Sequence, residues 1–165
     1  MTDRDYLNRP NPANDAACQL LIFGLGYTGS AIARLAQTGG WRVFGTSRTP
    51  DAATPPPGCE VVAFEEADRV LPHTTHILQT APPGEDGDPA LARHGLVLAA
   101  APLRWAGLLS TTGVYGDRGG AWVDEDTPPA PTGPRGRRRL VVEQQWRTAF
   151  ARCALDLFRV GGIYG

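Results

Sequence analysis

The sequence predicts an α/β protein built on a doubly wound parallel sheet, and three observations support this fold class. An apolar run at residues 20–23 leads directly into the glycine pattern Gly24-Leu25-Gly26-Tyr27-Thr28-Gly29. Short apolar runs alternate along the chain with helix-compatible or proline-rich crossovers, as parallel strands require. The chain has 165 residues, of which 42% are hydrophobic, and these numbers suit one packed domain.

The first half of the chain is predicted to alternate strands with crossovers. Residues 19–23 form a continuous apolar strand of the kind that is buried on both faces. Small and apolar residues predict a helix over 27–38, which Gly39-Gly40 ends. The segment before His73 is too short and too polar to predict a helix. The next strands are predicted at 41–46, 60–64 and 75–80.

The second half continues the same alternation. A helix over 89–101 begins at Pro89, where proline is tolerated, and a second helix covers 134–150 after the long loop 116–133. The fifth and sixth strands are predicted at 105–110 and 154–160. Right-handed crossovers then predict the Rossmann fold with the strand order 3-2-1-4-5-6. In this fold, ligand binds at the carboxyl ends of the strands, where the order switches.

Composition limits the partners and the compartment. The formal net charge of −1 gives the whole molecule no attraction to nucleic acid or membrane, and no apolar run is long enough to span a bilayer. The three cysteines have no metal-ligand spacing and indicate a reduced, cytoplasmic protein. Residues 1–18 are predicted to be a flexible tail without a signal peptide, and residues 19–165 to be the folded domain.

The glycine pattern predicts a dinucleotide site. Gly24 permits a tight turn, Gly26 lets the backbone approach a pyrophosphate, and Gly29 lets the helix pack close to the strand. Tyr27 and Thr28 complete the turn, where the first amides of the new helix point at the phosphates.

The ends of the second and fourth strands complete the predicted cofactor site. Ser47-Arg48 follows the second strand, and this hydroxyl and guanidinium suit the 2′-phosphate of NADP, which a carboxylate would repel. NAD remains an alternative, since Arg48 can also be read as a solvated loop residue. Thr80, Ala81 and Pro82, at the carboxyl end of the fourth strand, are predicted to line the same site.

A set of later motifs adds a family resemblance. Ser110-Thr111-Thr112-Gly113-Val114-Tyr115-Gly116 closes the fifth strand, and Arg159-Val160-Gly161-Gly162-Ile163-Tyr164-Gly165 ends the chain. Together with the glycine turn, this order resembles the extended and atypical short-chain dehydrogenases/reductases, the NAD(P)-dependent sugar epimerase/dehydratase group. The resemblance implies that Thr111 hydrogen-bonds the reacting oxygen. It also implies a small-molecule substrate such as a nucleotide sugar.

The chain departs from the family at its proton-transfer motif. The family implies Tyr-x-x-x-Lys at the start of the next helix, where this chain has Arg135 and Arg139. A guanidinium stays protonated and cannot shuttle a proton as a tyrosine does, although Arg139 can still bind ribose hydroxyls or a phosphate. Tyr115 is the nearest substitute acid in the sequence, or alternatively a packing residue.

Two functions therefore stay open. One is an NADP-binding oxidoreductase-type domain that moves a hydride to or from a carbonyl or alcohol carbon. The other is a catalytically inactive nucleotide-binding module or truncated remnant. The family also implies a further substrate-binding region after Gly165. Because this sequence does not contain that region, we expect either a fragment or a domain that acts through nucleotide binding alone. Exposed edges near the sixth strand favour association with a partner or with another copy of the chain.

Overall fold

The structure is a computed structural model that describes residues 18–164. The predicted tail at residues 1–17 and the final residue, Gly165, lie outside the described residues. The proposed boundary between a tail at 1–18 and a domain at 19–165 therefore stays a prediction.

A single parallel sheet organises the described chain. Its six strands lie in the order β3-β2-β1-β4-β5-β6, and every neighbouring pair is parallel, which confirms the predicted fold class and strand order. The strands are β1 (Gln19–Phe23), β2 (Arg42–Ser47), β3 (Cys59–Ala63), β4 (His76–Gln79), β5 (Trp105–Thr111) and β6 (Ala154–Val160).

Helical crossovers connect the strands. The α-helices are α1 (Tyr27–Thr38), α2 (Pro89–Ala100) and α3 (Pro134–Ala149). Within residues 18–164, four short 3-10 helices cover Pro50–Ala52, Phe64–Arg69, Leu71–His73 and Thr112–Val114. The sequence predicts β1, α1 and β6 to the residue, and the ends of the other α-helices and strands differ from prediction by at most one residue.

The two faces of the sheet have separate apolar cores. On one face Ile22 and Val43 pack with Ala33 of α1. On the other face the core contains Phe23 of β1, Trp146 of α3 and residues of α2. Because successive apolar residues of one strand point to opposite faces, β1 is buried on both sides, as its continuous apolar sequence predicts.

The connection between β3 and β4 is more ordered than its sequence indicates. It forms two consecutive 3-10 helices instead of an irregular segment. Ala67 and Leu71 lie four residues apart and are both fully buried in the core beneath the sheet. This spacing is the apolar signal of a helical segment, and the polar residues between them obscured it.

Candidate nucleotide-binding site

The turn after β1 has the geometry that its glycines predict. Gly24 has a φ of +99°, in the left-handed region that favours glycine, and its N–H donates to Thr46 Oγ1 over 3.0 Å. A Cβ on Gly24 would lie 2.9 Å from the Ala81 amide nitrogen. The turn is therefore held between the ends of β2 and β4, and a side chain at position 24 would force the strand ends apart.

The other two glycines of the motif have different environments. A Cβ on Gly29 would lie 2.5 Å from the Gly24 carbonyl oxygen, so Gly29 allows α1 to pack against the turn. A Cβ on Gly26 would meet nothing within 4 Å. Gly26 is the N-cap of α1 and supplies no side-chain cap, so the first amides of the helix face open space. This open approach to a helix N-terminus fits a pyrophosphate.

A cleft of about 1100 Å³ opens over this turn at the carboxyl ends of the strands. All the predicted cofactor residues except Arg139 line it. They come from the glycine turn and from the ends of β2 and β4: Gly24, Gly26, Tyr27, Thr28, Gly29, Ser47, Arg48, Thr80, Ala81 and Pro82. The structure thus brings three separate sequence segments to one surface, at the point where the strand order switches.

The charged residues that line the cleft lie on one of its sides. On the β2 and β3 side lie Arg48 and, after β3, Phe64 and Glu65. Arg48 is exposed and forms no salt bridge with a described carboxylate, while the Ser47 hydroxyl oxygen accepts a hydrogen bond from the Thr49 amide at 3.1 Å. Phe64 and Glu65 were not predicted as site residues from the sequence. Their position after a third strand beside Arg48 is the signal that indicates them.

Gln79 is a third residue of this region whose role was not predicted from the sequence. This fully buried side chain ends β4, where its Oε1 accepts from the Ala81 amide at 2.9 Å and its Nε2 donates to Asp88 at 2.8 Å. Asp88 in turn caps α2 by accepting from the Leu91 amide at 2.9 Å. A buried amide at the end of an apolar strand therefore fixes the β4 wall of the cleft and joins it to the start of α2.

The residues predicted to act in catalysis lie outside the cleft lining. The Thr111 hydroxyl oxygen accepts a hydrogen bond from the Gly113 amide at 3.1 Å and so caps the 3-10 turn after β5. Tyr115 is 6% exposed, and its ring lies 4.8 Å from the guanidinium carbon of Arg159. The structure does not bring either residue to the surface of the cleft.

A buried ionic cluster joins β5, α3 and β6. Glu143 is 1% exposed and binds Arg159 through both carboxylate oxygens, at 3.1 and 2.8 Å. The Ser110 hydroxyl also donates to Glu143. The hydrogen bond to Glu143 is the main cause that raises the pKa of Arg159. Each charge of the pair is thereby compensated inside the protein.

The two arginines at the family's proton-transfer positions differ in exposure. Arg135 is exposed in the first turn of α3. Arg139 is half-buried outside the cleft lining, and its Nη1 is a buried atom without a hydrogen-bond partner. Burial lowers the pKa of Arg139, and attraction to Asp88 and Glu143 opposes this effect. Arg139 thus carries an unused donor near the charges of Asp88 and Glu143.

The described part of the chain shows two further features that bear on function. Within residues 18–164, no group of three or more His, Cys, Asp or Glu side chains is arranged to hold a metal ion. None of the helices in that range is both long and apolar enough to cross a membrane.

Similar solved structures match this architecture. No protein-family model and no curated protein matches the chain. A conserved protein of unknown function from Silicibacter pomeroyi is 45% identical with a TM-score of 0.80, and the match covers 90% of this chain and 54% of that one. A provisionally assigned NAD-dependent epimerase/dehydratase from Methylobacillus flagellatus is 26% identical with a TM-score of 0.69, over 90% and 56% of the two chains.

A third structure shares the fold at lower identity. The UDP-glucuronic acid 4-epimerase of Bacillus cereus, solved with NAD, is 20% identical with a TM-score of 0.70, over 89% of this chain and 57% of that one. The chain spans about half the length of each of these structures.

The strand order and the glycine turn define a Rossmann protein of the dinucleotide-binding class. Within that class, the chain resembles the epimerase/dehydratase-like group of the atypical short-chain dehydrogenases/reductases.

Proposed function

We propose that the chain binds a nicotinamide dinucleotide in the cleft over the Gly24–Gly29 turn. The observation that carries this proposal is the open helix N-terminus at Gly26, held by two glycines that tolerate no side chain. Because β2 and β3 lie on one side of β1 and β4 and β5 on the other, the adenosine half would lie over Arg48 and Glu65. The nicotinamide half would lie towards Thr80 and Pro82.

NADP is the form that we propose. Arg48 lies at the end of β2, where the adenosine ribose is expected, and it has no carboxylate partner among the described residues. A guanidinium can bind the 2′-phosphate through two parallel hydrogen bonds, and the Ser47 hydroxyl can add a third. The Bacillus cereus epimerase and other solved neighbours carry NAD, so the alternative is that Arg48 only neutralises the diphosphate.

The chemistry that the bound nicotinamide supplies is hydride transfer with a carbonyl or alcohol carbon. Thr111 would orient the reacting oxygen. Its own oxygen accepts from Gly113, so its hydroxyl hydrogen can be donated to the substrate. Arg135 has no acceptor lone pair and keeps its proton, so it cannot act as the acid or base. Tyr115 is the remaining candidate acid, and its burial under Arg159 would require the loop to move.

The second candidate function is a nucleotide-binding module without turnover. The replacement of the family's tyrosine and lysine by Arg135 and Arg139 favours it, as does the packing of Tyr115. For an active protein, the substrate class would be a small molecule such as a nucleotide sugar, since the Bacillus cereus relative is a UDP-glucuronic acid epimerase. We also propose that the protein is cytoplasmic and that it associates with another copy of itself.

The cofactor proposal is tested by titrating NADPH and NADH while following tryptophan fluorescence. Arg48→Ala should weaken NADPH binding about tenfold and change NADH binding less than about twofold, since only NADPH carries the 2′-phosphate. Arg34→Ala is the matched control, because Arg34 is an exposed arginine of α1 outside the cleft. If Arg48→Ala lowered the affinity for NADPH and NADH equally, the preference for NADP would be contradicted. The proposed location of the binding site would be unaffected.

Turnover separates the two candidate functions. The wild-type protein, once shown to bind NADPH, is screened for NADPH oxidation with ketone and nucleotide-sugar substrates. Substrate-dependent oxidation that Thr111→Val abolishes supports the oxidoreductase. Binding without turnover supports the module.

A further inference from the structure

The loop that follows β4 forms a thin wall between two cavities. Gly84 and Pro89 line the nucleotide cleft, and the same two residues also line a second cavity of about 400 Å³. Between them the chain turns back on itself, since the Gly84 amide donates to the Gly87 carbonyl oxygen at 2.8 Å. Residues 84–88 belong to neither apolar core, so the position of this loop depends on its hydrogen bonds to other elements.

Gln145 of α3 holds the 84–88 loop by two hydrogen bonds. Its Oε1 accepts from the Asp88 amide at 2.8 Å, and its Nε2 donates to the Asp86 carbonyl oxygen at 3.4 Å. Because a backbone amide can only donate, the first bond fixes which end of the Gln145 side chain carries the oxygen. The side chain is half-buried, and it lines the second cavity and not the nucleotide cleft.

The backbone of the loop leaves room for this side chain at Gly87. Gly87 has a φ of +126°, in the left-handed region that favours glycine, and a Cβ on it would lie 2.3 Å from Gln145 Nε2. A methyl group at position 87 would therefore push the Gln145 amide away from the loop. The close approach of the two elements is thus built from a glycine on one side and an amide on the other.

The end of the loop is fixed by two further elements. Gln79 at the end of β4 donates to Asp88 Oδ2 at 2.8 Å, and Asp88 Oδ1 accepts from the Leu91 amide of α2 at 2.9 Å. The carboxylate of Asp88 is therefore held by β4 and α2, while its backbone amide is held by α3. Loss of the Gln145 contacts would leave the carboxylate anchored and would release the chain before it, which includes the cleft residue Gly84.

We propose that Gln145 is a positioning residue that holds the 84–88 loop as the nicotinamide-side wall of the cleft. This inference rests on the proposed function, in which the nicotinamide half lies towards the end of β4. Pro83 and Gly84 extend that end of the cleft lining. Gln145 acts through the loop and does not touch the nucleotide. The helix α3 thus contributes to nucleotide binding, although its family proton-transfer positions lie outside the cleft lining.

The test compares a full dinucleotide with its adenosine half by calorimetry. Gln145→Ala should weaken NADPH binding about five- to tenfold, because the wall of the cleft is no longer held in place. Adenosine 2′,5′-bisphosphate carries the adenosine half of NADPH without the nicotinamide ribose, and its affinity should change less than about twofold. NADH and ADP give the same comparison without the 2′-phosphate. A general loss of stability would lower both affinities together, so a difference between the two ligands is specific to the wall.

Two further variants separate hydrogen bonding from packing. Gln144→Ala removes the same side chain from the exposed neighbouring position of α3, and it should leave all affinities unchanged. Gln145→Met keeps an unbranched side chain and loses both hydrogen bonds, so it should weaken NADPH binding as Gln145→Ala does. Hydrogen exchange reports on the loop directly. The Asp88 amide should exchange about tenfold faster in Gln145→Ala, since its acceptor is gone.

The outcomes separate this inference from the proposed function. Equal losses of affinity for NADPH and adenosine 2′,5′-bisphosphate in Gln145→Ala would overturn the inference. NADPH affinity that Gln145→Ala or Gln145→Met leaves unchanged, or an unchanged exchange rate of the Asp88 amide, would overturn it as well. Failure of the wild type to bind either dinucleotide would instead remove the proposed function, and the exchange rate would still decide whether Gln145 holds the loop.

Discussion

The β1–β4 half and the β5–β6 half of this sheet differ in what the residues at their strand ends form. In the first half, the glycine turn and the ends of β2 and β4 line a continuous cleft. In the second half, the positions that the family uses for proton transfer hold Arg135 and Arg139, and the neighbouring charges are locked in the Glu143–Arg159 pair. The difference teaches that an open cleft over the glycine turn and the positions that the resembled family uses for proton transfer are encoded by separate parts of the chain.

The largest effect is expected in the β5–β6 half. Glu143→Ala should cost about 3–5 kcal/mol of unfolding free energy, because it leaves Arg159 as an uncompensated charge in a largely buried place. Nucleotide affinity of the folded fraction should stay nearly unchanged, since neither residue lines the cleft. Urea unfolding and an NADPH titration measure the two quantities.

The matched control for Glu143→Ala is Glu60→Ala. Glu60 pairs with Arg42 at 3.2 Å, with both side chains more than half exposed. A pair of this kind contributes at most about 1 kcal/mol. Equal destabilisation by the two variants would show that the Glu143 cluster does not anchor β6 to α3.

A second pair of variants separates folding from binding inside the glycine turn. Gly29→Ala should destabilise the fold by about 1–3 kcal/mol, since its methyl group would press on the Gly24 carbonyl oxygen. Gly26→Ala has open space and a φ of −88°, so stability should change by less than about 0.5 kcal/mol. Gly26→Ala should still weaken NADPH binding, because its methyl group occupies the approach of the diphosphate. Thermal unfolding with and without NADPH distinguishes these outcomes, and a stable Gly29→Ala would refute the packing argument.

The smallest effect is expected at the former tyrosine position. Arg135→Gln removes an exposed side chain outside the cleft, so unfolding free energy should change by less than about 0.5 kcal/mol and NADPH affinity by less than about twofold. Any turnover of the wild type should also survive, since a guanidinium does not transfer protons. Loss of turnover in Arg135→Gln with binding intact would mean that Arg135 contacts the substrate.

The fold was largely predictable because its signals are local. The glycine turn, the continuous apolar β1 and the stop at Gly39-Gly40 each constrain a few neighbouring residues, and right-handed crossovers then give the strand order. The 3-10 helices after β3 escaped prediction, since burial of Ala67 and Leu71 depends on packing beneath other strands.

The site was predictable only in part, for the same reason. The turn and the strand ends are contiguous in sequence, so the residues around Gly24, Arg48 and Thr80 could be named. The role of Gln79 depends on Asp88, which lies at the start of another element, α2. A single sequence carries no record of such pairings. That Phe64 and Glu65 line the cleft could be recognised only from the position of β3 beside β2 in the folded sheet.

Calorimetric titration of the wild type and Gly26→Ala with NADPH and NADH tests the central claim most directly. The account predicts saturable one-to-one binding to the wild type, tighter for NADPH, and weaker binding of both nucleotides to an equally stable Gly26→Ala. Absence of binding of either nucleotide to the folded wild type would contradict it.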